Sequence, residues 1–518
     1  MSGKKTEYTD FNPITAADYP DVDVICVDDT YYMVSTTMYF MPGCEILRSY
    51  DLIHWEHAAF VYDRLDSTPA QQLEGDLNIY GQGMWAACLR YHDGTFYVCF
   101  IANDTHKTYL YQASDIRGPW KKSLIDGFYH DNSILFDDDG RVYIVYGNRQ
   151  IFLTELESDL SGPKKGGLHR MIVEDSEESP LGYEGSHIYK IDGRYYVFFI
   201  NIPAGGPRTQ SVYMADSPEG EFKGKTVLQD DNGYHGMGVA QGGIVQAPTG
   251  ECYAMLFQDS GAVGRIPFLM PVTWSEDHFP VFGVNGKIPA RIEVADLNPG
   301  YDYKPLVRSD DFRTEGGDSF GFESCWQFNH EPELELVSRD TDKGIVRITT
   351  GKISANLVQA KNTLTQRTLF PGCTACVTVD GNGLKEGDYA GLCLLESEYA
   401  YIALNRRDGK LRLVVCRRSL GDVGFWGERH DTEAPEELAF LELDPDTKAV
   451  TVGAETDFDD MKDVGRFFCM ADGQRKILGP EVKLRFLLDH FTGVRFGLFI
   501  YSTLECGGYA EFSEFERS

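Results

Sequence analysis

Positive charge is scarce in this 518-residue chain: 48 Lys and Arg stand against 80 Asp and Glu, a formal net charge of -32. That balance excludes nucleic acid and anionic membrane as partners, because both require clustered basic residues. No apolar run is long enough to span a bilayer. The opening MSGKKTEYTDFNP has two lysines with no apolar stretch behind them, so no signal peptide is expected. Segments with helical periodicity are few, and no glycine-rich phosphate loop is present. The twelve cysteines have no regular spacing. Cys373 and Cys376 form a CxxC, but in the strand-like run CTACVTVD positions three apart face opposite sides, which argues against a redox or zinc pair. Scattered, reduced thiols suit a cytoplasmic location.

What the chain has instead is turn and strand material. Hydrophobic residues make up 42%, aromatics 13%, and there are 53 glycines, a composition that favours an all-β protein with many turns. The length is too great for one core and predicts two or three domains. One motif recurs, an apolar strand, an Asp/Gly turn and an aromatic-rich strand: VICVDDTYYMVST, LRYHDGTFYVCFI, ILFDDDGRVYIVY, IYKIDGRYYVFFI and, more weakly, IVQAPTGECYAMLF. Its copies place Tyr32, Tyr97, Tyr143, Tyr196 and Tyr253 in register. Further strand-like runs such as ILRSYDLIHWE and SVYMADSPEGEF follow several copies, so each unit holds about four strands, the content of one propeller blade. The expected architecture is a five-bladed β-propeller over 1–304. Beyond it, over 305–518, period-two segments (GIVRITTG, TACVTVDG, YAGLCLLES, AYIALNRRDGKLRLVVC, KAVTVGAET, VKLRFLLD, RFGLFIYST) predict an antiparallel β-sandwich. ADLNPGYDYKPLVRSDD reads as the linker.

A propeller brings the leading strands of all its blades to one axis, where a deep site can collect distant residues. Acidic residues at the start of those strands, not needed by the turns, are therefore the candidates. They are Asp21 in the first unit, Asp131 in the third (YHDNSILF) and Glu184 in the fourth (GYEGSHIYK), which share one phase of the repeat. Isolated acids before strands commonly serve as turn or cap residues. Three of them clustered suggest glycoside hydrolysis: one carboxylic acid protonates the leaving oxygen and one carboxylate acts on water or carbon. Like charges held close keep at least one of them protonated near neutral pH.

The ordered set NPITAADYPDVDVI, YYMVSTTMYFMPG, ILRSYDLIHWE, GMWAACLRYHDGTFYV, YHDNSILFDDDGRVYIVYG, EGSHIYK and VGRIP resembles glycoside hydrolase family 43 across the first 300 residues. DDF at 310 and WQFNHEP at 326 resemble the concanavalin A-like sandwich that follows the propeller in the family's β-xylosidases. The resemblance implies an inverting hydrolase with Asp21 as general base, Glu184 as general acid and Asp131 as the carboxylate that orients the acid and tunes its pKa. It also implies Trp85 beside the reacting sugar, where an indole stacks and still donates a hydrogen bond. Arg265 reaches into the site with its fork of donors, and Met38 is an apolar lining residue. Asp23 falls where the family has serine or another acid and is left out; His187 reads equally as a contact or as a supporting group.

Several positions depart from the commonest family pattern: Val22, Ala87, Asn132 and Ser186 stand where proline is usual. These change loop stiffness, leave the carboxylates in place and make substrate preference hard to transfer. Gln241 stands where many members have histidine at the propeller centre. It is counted with the substrate-binding set; its carbonyl oxygen suits a hard cation, so calcium stays open, but no metal or cofactor is assigned. The expected activity is exo-hydrolysis of terminal β-D-xylose, α-L-arabinofuranose or both, from short xylo-oligosaccharides or arabinoxylan fragments, with β-xylosidase first. The alternatives are an arabinofuranosidase acting on other arabinose-decorated glycans, an endo-arabinanase or fructan-cleaving propeller, and an inactive carbohydrate-binding propeller. Self-association as a homo-oligomer stays open.

Overall fold

The computed structural model describes residues 5–6, 11–396, 398–419, 433–471, 473–488 and 490–518. Five four-stranded antiparallel sheets follow one another, each with its strands in chain order. Their leading strands are Asp23–Val27, Met84–His92, Ser133–Phe136, Leu181–Ile191 and Ile244–Gln246. Each pairs with the aromatic strand of its motif, as in Ile25 opposite Tyr32 and Tyr189 opposite Tyr196. Two of the predicted turns, at Asp93-Gly94 and Asp192-Gly193, have positive φ at both central residues (47° and 76°, 48° and 78°). This is the two-residue hairpin geometry that matches strand twist, and the reason glycine is needed there. Leading strands of the first four blades touch in ring order, the Ile244 N–H donates to Tyr189 Oη at 3.1 Å, and Ile244–Gln246 returns to Asp23–Val27. The sheets are thus the blades of a five-bladed propeller.

Ring closure repeats one backbone feature five times. Asp23, Cys88, Ser133, His187 and Gly243 hold equivalent positions, each opposite the residue two beyond its blade's marker tyrosine. Two residues before each stands a residue in the left-handed region: Asp21 (φ 53°), Ala86 (40°), Asp131 (47°), Gly185 (66°) and Gln241 (64°). Non-glycine residues held there cost of order 1–3 kcal/mol each and persist only where the surroundings enforce them.

Val294–Ala295 pairs with Lys5–Thr6, and the linker then crosses the first blade. Tyr303 Oη accepts from the Tyr50 N–H, and Arg48 donates to Tyr301 Oη, both at 2.8 Å. The rest of the chain forms two packed antiparallel sheets, of seven and eight strands. Most expected strands are present, from Ile345–Thr349 to Arg495–Ser502. The segment VKLRFLLD is a strand only over Val482–Lys483, with a lone bridge from Leu487 to His490; of its residues Asp489 lies outside the described set. Its alternating apolar residues are Val482, Leu484, Phe486 and Leu488: the first two join the larger core, and Leu488 joins Met38, Tyr39 and Phe491 in one apolar cluster at the interface. Strands Gln327–Phe328, Val337–Asp340, Leu364–Arg367, Glu436–Glu442, Val464–Ala471, Gln474–Ile477 and Tyr509–Arg517 complete the sheets and carry no expectation from the sequence. Cys373 is buried and Cys376 half-buried on opposite faces of Gly372–Asp380, and neither is bonded to another cysteine.

The two parts share a continuous apolar core and a buried ion pair. Arg367 of the sandwich lies 2.7 Å from Glu45 of the first blade. Arg367 also donates to the Asp18 carbonyl at 2.9 Å and stacks on the Tyr19 ring. Burial pushes the Glu45 carboxyl up, but Arg367 and His57 outweigh it and hold it at about 2. Arg367→Ala leaves that carboxylate buried and uncompensated, so it is expected to lose about 3–5 kcal/mol in denaturant unfolding. Because the folded value is depressed, the stabilisation is present above the ordinary carboxylate range and fades as pH falls toward 2. Glu45→Gln should remove that component of the acid unfolding curve.

Candidate active site

The left-handed ring positions gather the site. Asp21, Asp131 and Gln241 take three of the five places, and their side chains border one cavity of about 130 Å³. Glu184 also borders it, but it stands one residue earlier in its blade, in step with Trp85 and His130. The shared phase expected for all three acids therefore holds for two. Gly185 occupies the left-handed place in the fourth blade, and its N–H donates to Asp131 Oδ2 at 2.9 Å. A β carbon on Gly185 would meet Gln241 Cγ at 2.7 Å, so the close approach requires glycine. Register shifts flank Glu184, and another lies between Trp85 and Cys88; such bulges re-aim side chains at strand ends.

Asp21 is buried and held at both oxygens, each of which keeps a further lone pair. Its Oδ1 accepts from Arg265 Nη1 at 2.7 Å and its Oδ2 from Thr36 Oγ1 at 2.5 Å. Thr36 Oγ1 in turn accepts from the N–H of Ala86 at 2.8 Å, which ties the strained second-blade residue to the first blade's carboxylate. Burial raises the Asp21 pKa, while Arg265 and Thr36 pull against it. Arg265 is clamped between the rings of Phe257 and Phe491, at 4.5 and 4.0 Å, with its Nε on Asp259 at 3.1 Å. Its backbone N–H donates to Asp18 Oδ1 at 2.7 Å.

Asp131 is raised to about 6, first by burial and then by Glu184 and Asp21, with His130 opposing. Glu184 moves the other way. Burial raises it, but His130, Arg265 and Asn148 outweigh burial and hold it below its ordinary value; Asn148 donates to its Oε2 at 2.5 Å. His130 Nε2 lies 3.6 Å from Glu184 and 3.7 Å from Asp131. These three residues bring ligand-type atoms within 4.8 Å of one another. Burial opposes protonation of His130, but Asp131, Glu184 and Asp21 outweigh it and raise the ring to about 9, so the imidazole brings positive charge to this group.

Trp85 borders the cavity edge-on to Phe491, 5.0 Å between centroids. Its indole N–H is buried and has no partner among the described residues, which leaves it available to a ligand hydroxyl. Gln241 is buried, and its N–H donates to Gln210. Met38 is not on the cavity wall. Its left-handed φ of 48° and antiparallel bridge to Met84 turn it into the interface, against Thr492. Asp23 and His187 lie deeper: Asp23 accepts from Arg90 at 2.7 Å and from the Leu89 N–H at 2.8 Å, with His187 Nδ1 3.2 Å away. The three acids of DYPDVDVI thus part ways. Asp18 holds the Arg265 backbone, Asp21 enters the cavity and Asp23 braces the blade.

Five lining residues escaped the sequence reading: His130, Asn148, Leu181, Leu488 and Phe491. His130 was legible in principle, since it precedes Asp131 as Glu184 precedes Gly185. Leu488 and Phe491 had no signal, because they come from the sandwich, far from the propeller in sequence.

The fold and the site define a glycoside hydrolase. Residues 11–280 match the glycosyl hydrolases family 43 model, and residues 309–518 match that of the β-xylosidase C-terminal concanavalin A-like domain; the chain belongs to family 43. It is 27% identical to a β-xylosidase of Formosa agariphila, over 98% of this chain and 90% of that one. A non-reducing-end α-L-arabinofuranosidase of Bacteroides ovatus is 25% identical, over 79% and 78%. Among solved structures, a bifunctional GH43-CE protein of Bacteroides eggerthii superposes with TM-score 0.89 at 41% identity, covering 99% of this chain, which spans 64% of that one.

Arg265→Met removes the guanidinium that opposes burial at Asp21. Any activity that needs this carboxylate ionised should then have its acidic limb shifted upward. A pH profile of kcat/KM checks this.

Proposed function

We propose that this chain is an inverting exo-glycoside hydrolase that releases terminal β-D-xylose, α-L-arabinofuranose or both from short xylo-oligosaccharides or arabinoxylan fragments. Asp21 is the general base, Glu184 the general acid, and Asp131 orients the acid and tunes it. The observation that carries the reading is the convergence of three carboxylates from three blades on one small cavity, with Arg265 and Trp85 on its wall. A water activated by Asp21 attacks the anomeric carbon as the glycosidic oxygen leaves with a proton from Glu184. Asp131 restrains the neighbourhood of Glu184 through the Gly185 N–H and raises its proton affinity by like charge.

Exo action fits a cavity of about 130 Å³ roofed on the sandwich side by Leu488 and Phe491, room for one ring and little more. The propeller and sandwich act as domains 1–304 and 305–518. The likeness to both a β-xylosidase and an arabinofuranosidase favours keeping both sugars, with β-xylose first because the C-terminal domain matches that of β-xylosidases. Twelve cysteines, none bonded to another, suit a reducing cytoplasm. No helix among the described residues is long and apolar enough to cross a membrane. Gln241 and Trp85 contact substrate in this reading; calcium is given no part in the reaction.

Glu184→Gln should lower kcat on xylobiose by roughly 10²–10⁴-fold, the range of general acid catalysis. NMR of the first-formed sugar from an aryl β-D-xyloside should show the α anomer. Unchanged hydrolysis by Glu184→Gln would contradict the assignment of the acid; release of β-xylose would contradict inversion.

A further inference from the structure

The structure assigns His130 a task that the three carboxylates leave open: we propose that its Nε2 stores the proton that Glu184 delivers to the leaving group. This rests on the hydrolase reading above. Side chains one place before the left-handed ring positions enter the cavity from three successive blades, as Trp85, His130 and Glu184. The His130 carbonyl accepts from the Gly147 N–H at 2.9 Å, which fixes the backbone. Its Nε2 is nearly equidistant from Glu184 Oε2 and Asp131 Oδ1, at 3.6 and 3.7 Å.

The charges facing this ring come from four of the five blades. Asp131 and Glu184 are its neighbours, Asp21 faces it from the first blade, and Arg265 belongs to the fifth. Arg265 is already bound to Asp21 and Asp259. Trp85, Asn148, Gln241, Leu181, Leu488 and Phe491 add no charge. The Asp131–Glu184 pair is thus left with two like charges in a closed space, where both cannot ionise without a counter-charge. Burial opposes protonation of His130, but Asp131, Glu184 and Asp21 outweigh it and raise the ring to about 9. The free enzyme therefore keeps the mobile proton on the imidazole while Glu184 is ionised.

In turnover the proton passes from Nε2 to Glu184 Oε2. The glycosidic C–O bond breaks with its electron pair on the leaving oxygen, which takes that proton from Glu184. The attacking water forms the new C–O bond and gives a proton to Asp21. Asp21 returns a proton to solvent and His130 regains one, so charge and atoms balance.

The test is the pH profile of kcat/KM on xylobiose for His130→Gln and His130→Phe. With the imidazole present, the alkaline limb lies near 9; without it, the limb should retreat to lower pH, toward the carboxylates that then hold the proton, while the acidic limb stays. At about pH 8 the variants should therefore have lost activity relative to the wild type. On a dinitrophenyl β-D-xyloside, whose leaving group departs without protonation, both variants should lose less than on xylobiose, and the alkaline limb should not follow the imidazole. Imidazole added to His130→Ala should restore part of the alkaline activity. An unmoved limb, a limb that moves upward, or equal losses on both substrates overturns the proposal. So does activity that EDTA removes and calcium restores, since the cluster would then hold a cation. If His130→Phe fails to fold, His130→Gln decides alone. An unshifted His130→Gln beside an inactive Glu184→Gln sinks only the proton store. A wild-type chain inactive on every glycoside sinks both readings.

Discussion

The ion pair between Asp21 and Arg265 is the interaction on which the rest of the molecule depends. It joins the first blade to the fifth and so sits at the seam where the ring closes. It also lies on the wall of the cavity, so the contact that helps hold the ring together is the contact that sets the charge on Asp21. Both partners are buried, and a buried pair holds only if its remaining hydrogen-bonding capacity is met. Here it is: Thr36 takes the second Asp21 oxygen and Asp259 takes the Arg265 Nε.

The same guanidinium carries the sandwich. Phe491 covers one of its faces and meets Trp85 edge-on, so a residue of the C-terminal domain closes the pocket. Asp18 reinforces the junction from below. It accepts the Arg265 N–H and the Gly493 N–H, and Gly264 and Gly493 leave room for it that a β carbon would fill. The sandwich is therefore part of the site, and the pocket depends on how the two domains dock.

Strain and charge are concentrated where the chemistry lies. Five left-handed residues stand at equivalent places in the blades, and two of them are carboxylates. Burial raises Asp21 and Asp131, while His130 and Asn148 hold Glu184 down. The protons of this group belong to the cluster as a whole, as expected when titrating groups interact strongly.

The repeat of apolar strand, Asp/Gly turn and aromatic strand determined the propeller by itself, because hairpin turns and period-two patterning are local and survive in one dimension. Asp21, Asp131 and Glu184 were legible for the same reason: each stands next to a recognisable strand, and the family resemblance named them. What only the tertiary structure decided is everything that depends on which surfaces meet. Met38 left the cavity wall because a bridge to Met84 turns it into the interface. VKLRFLLD alternates like a strand, but its Leu488 packs on the propeller's Met38 and Tyr39. Glu184 slipped one residue out of phase because flanking bulges re-aim it. His130, Asn148 and Phe491 entered a site that no spacing in the chain announces, since ring closure and domain docking bring them there across gaps that carry no periodic signal.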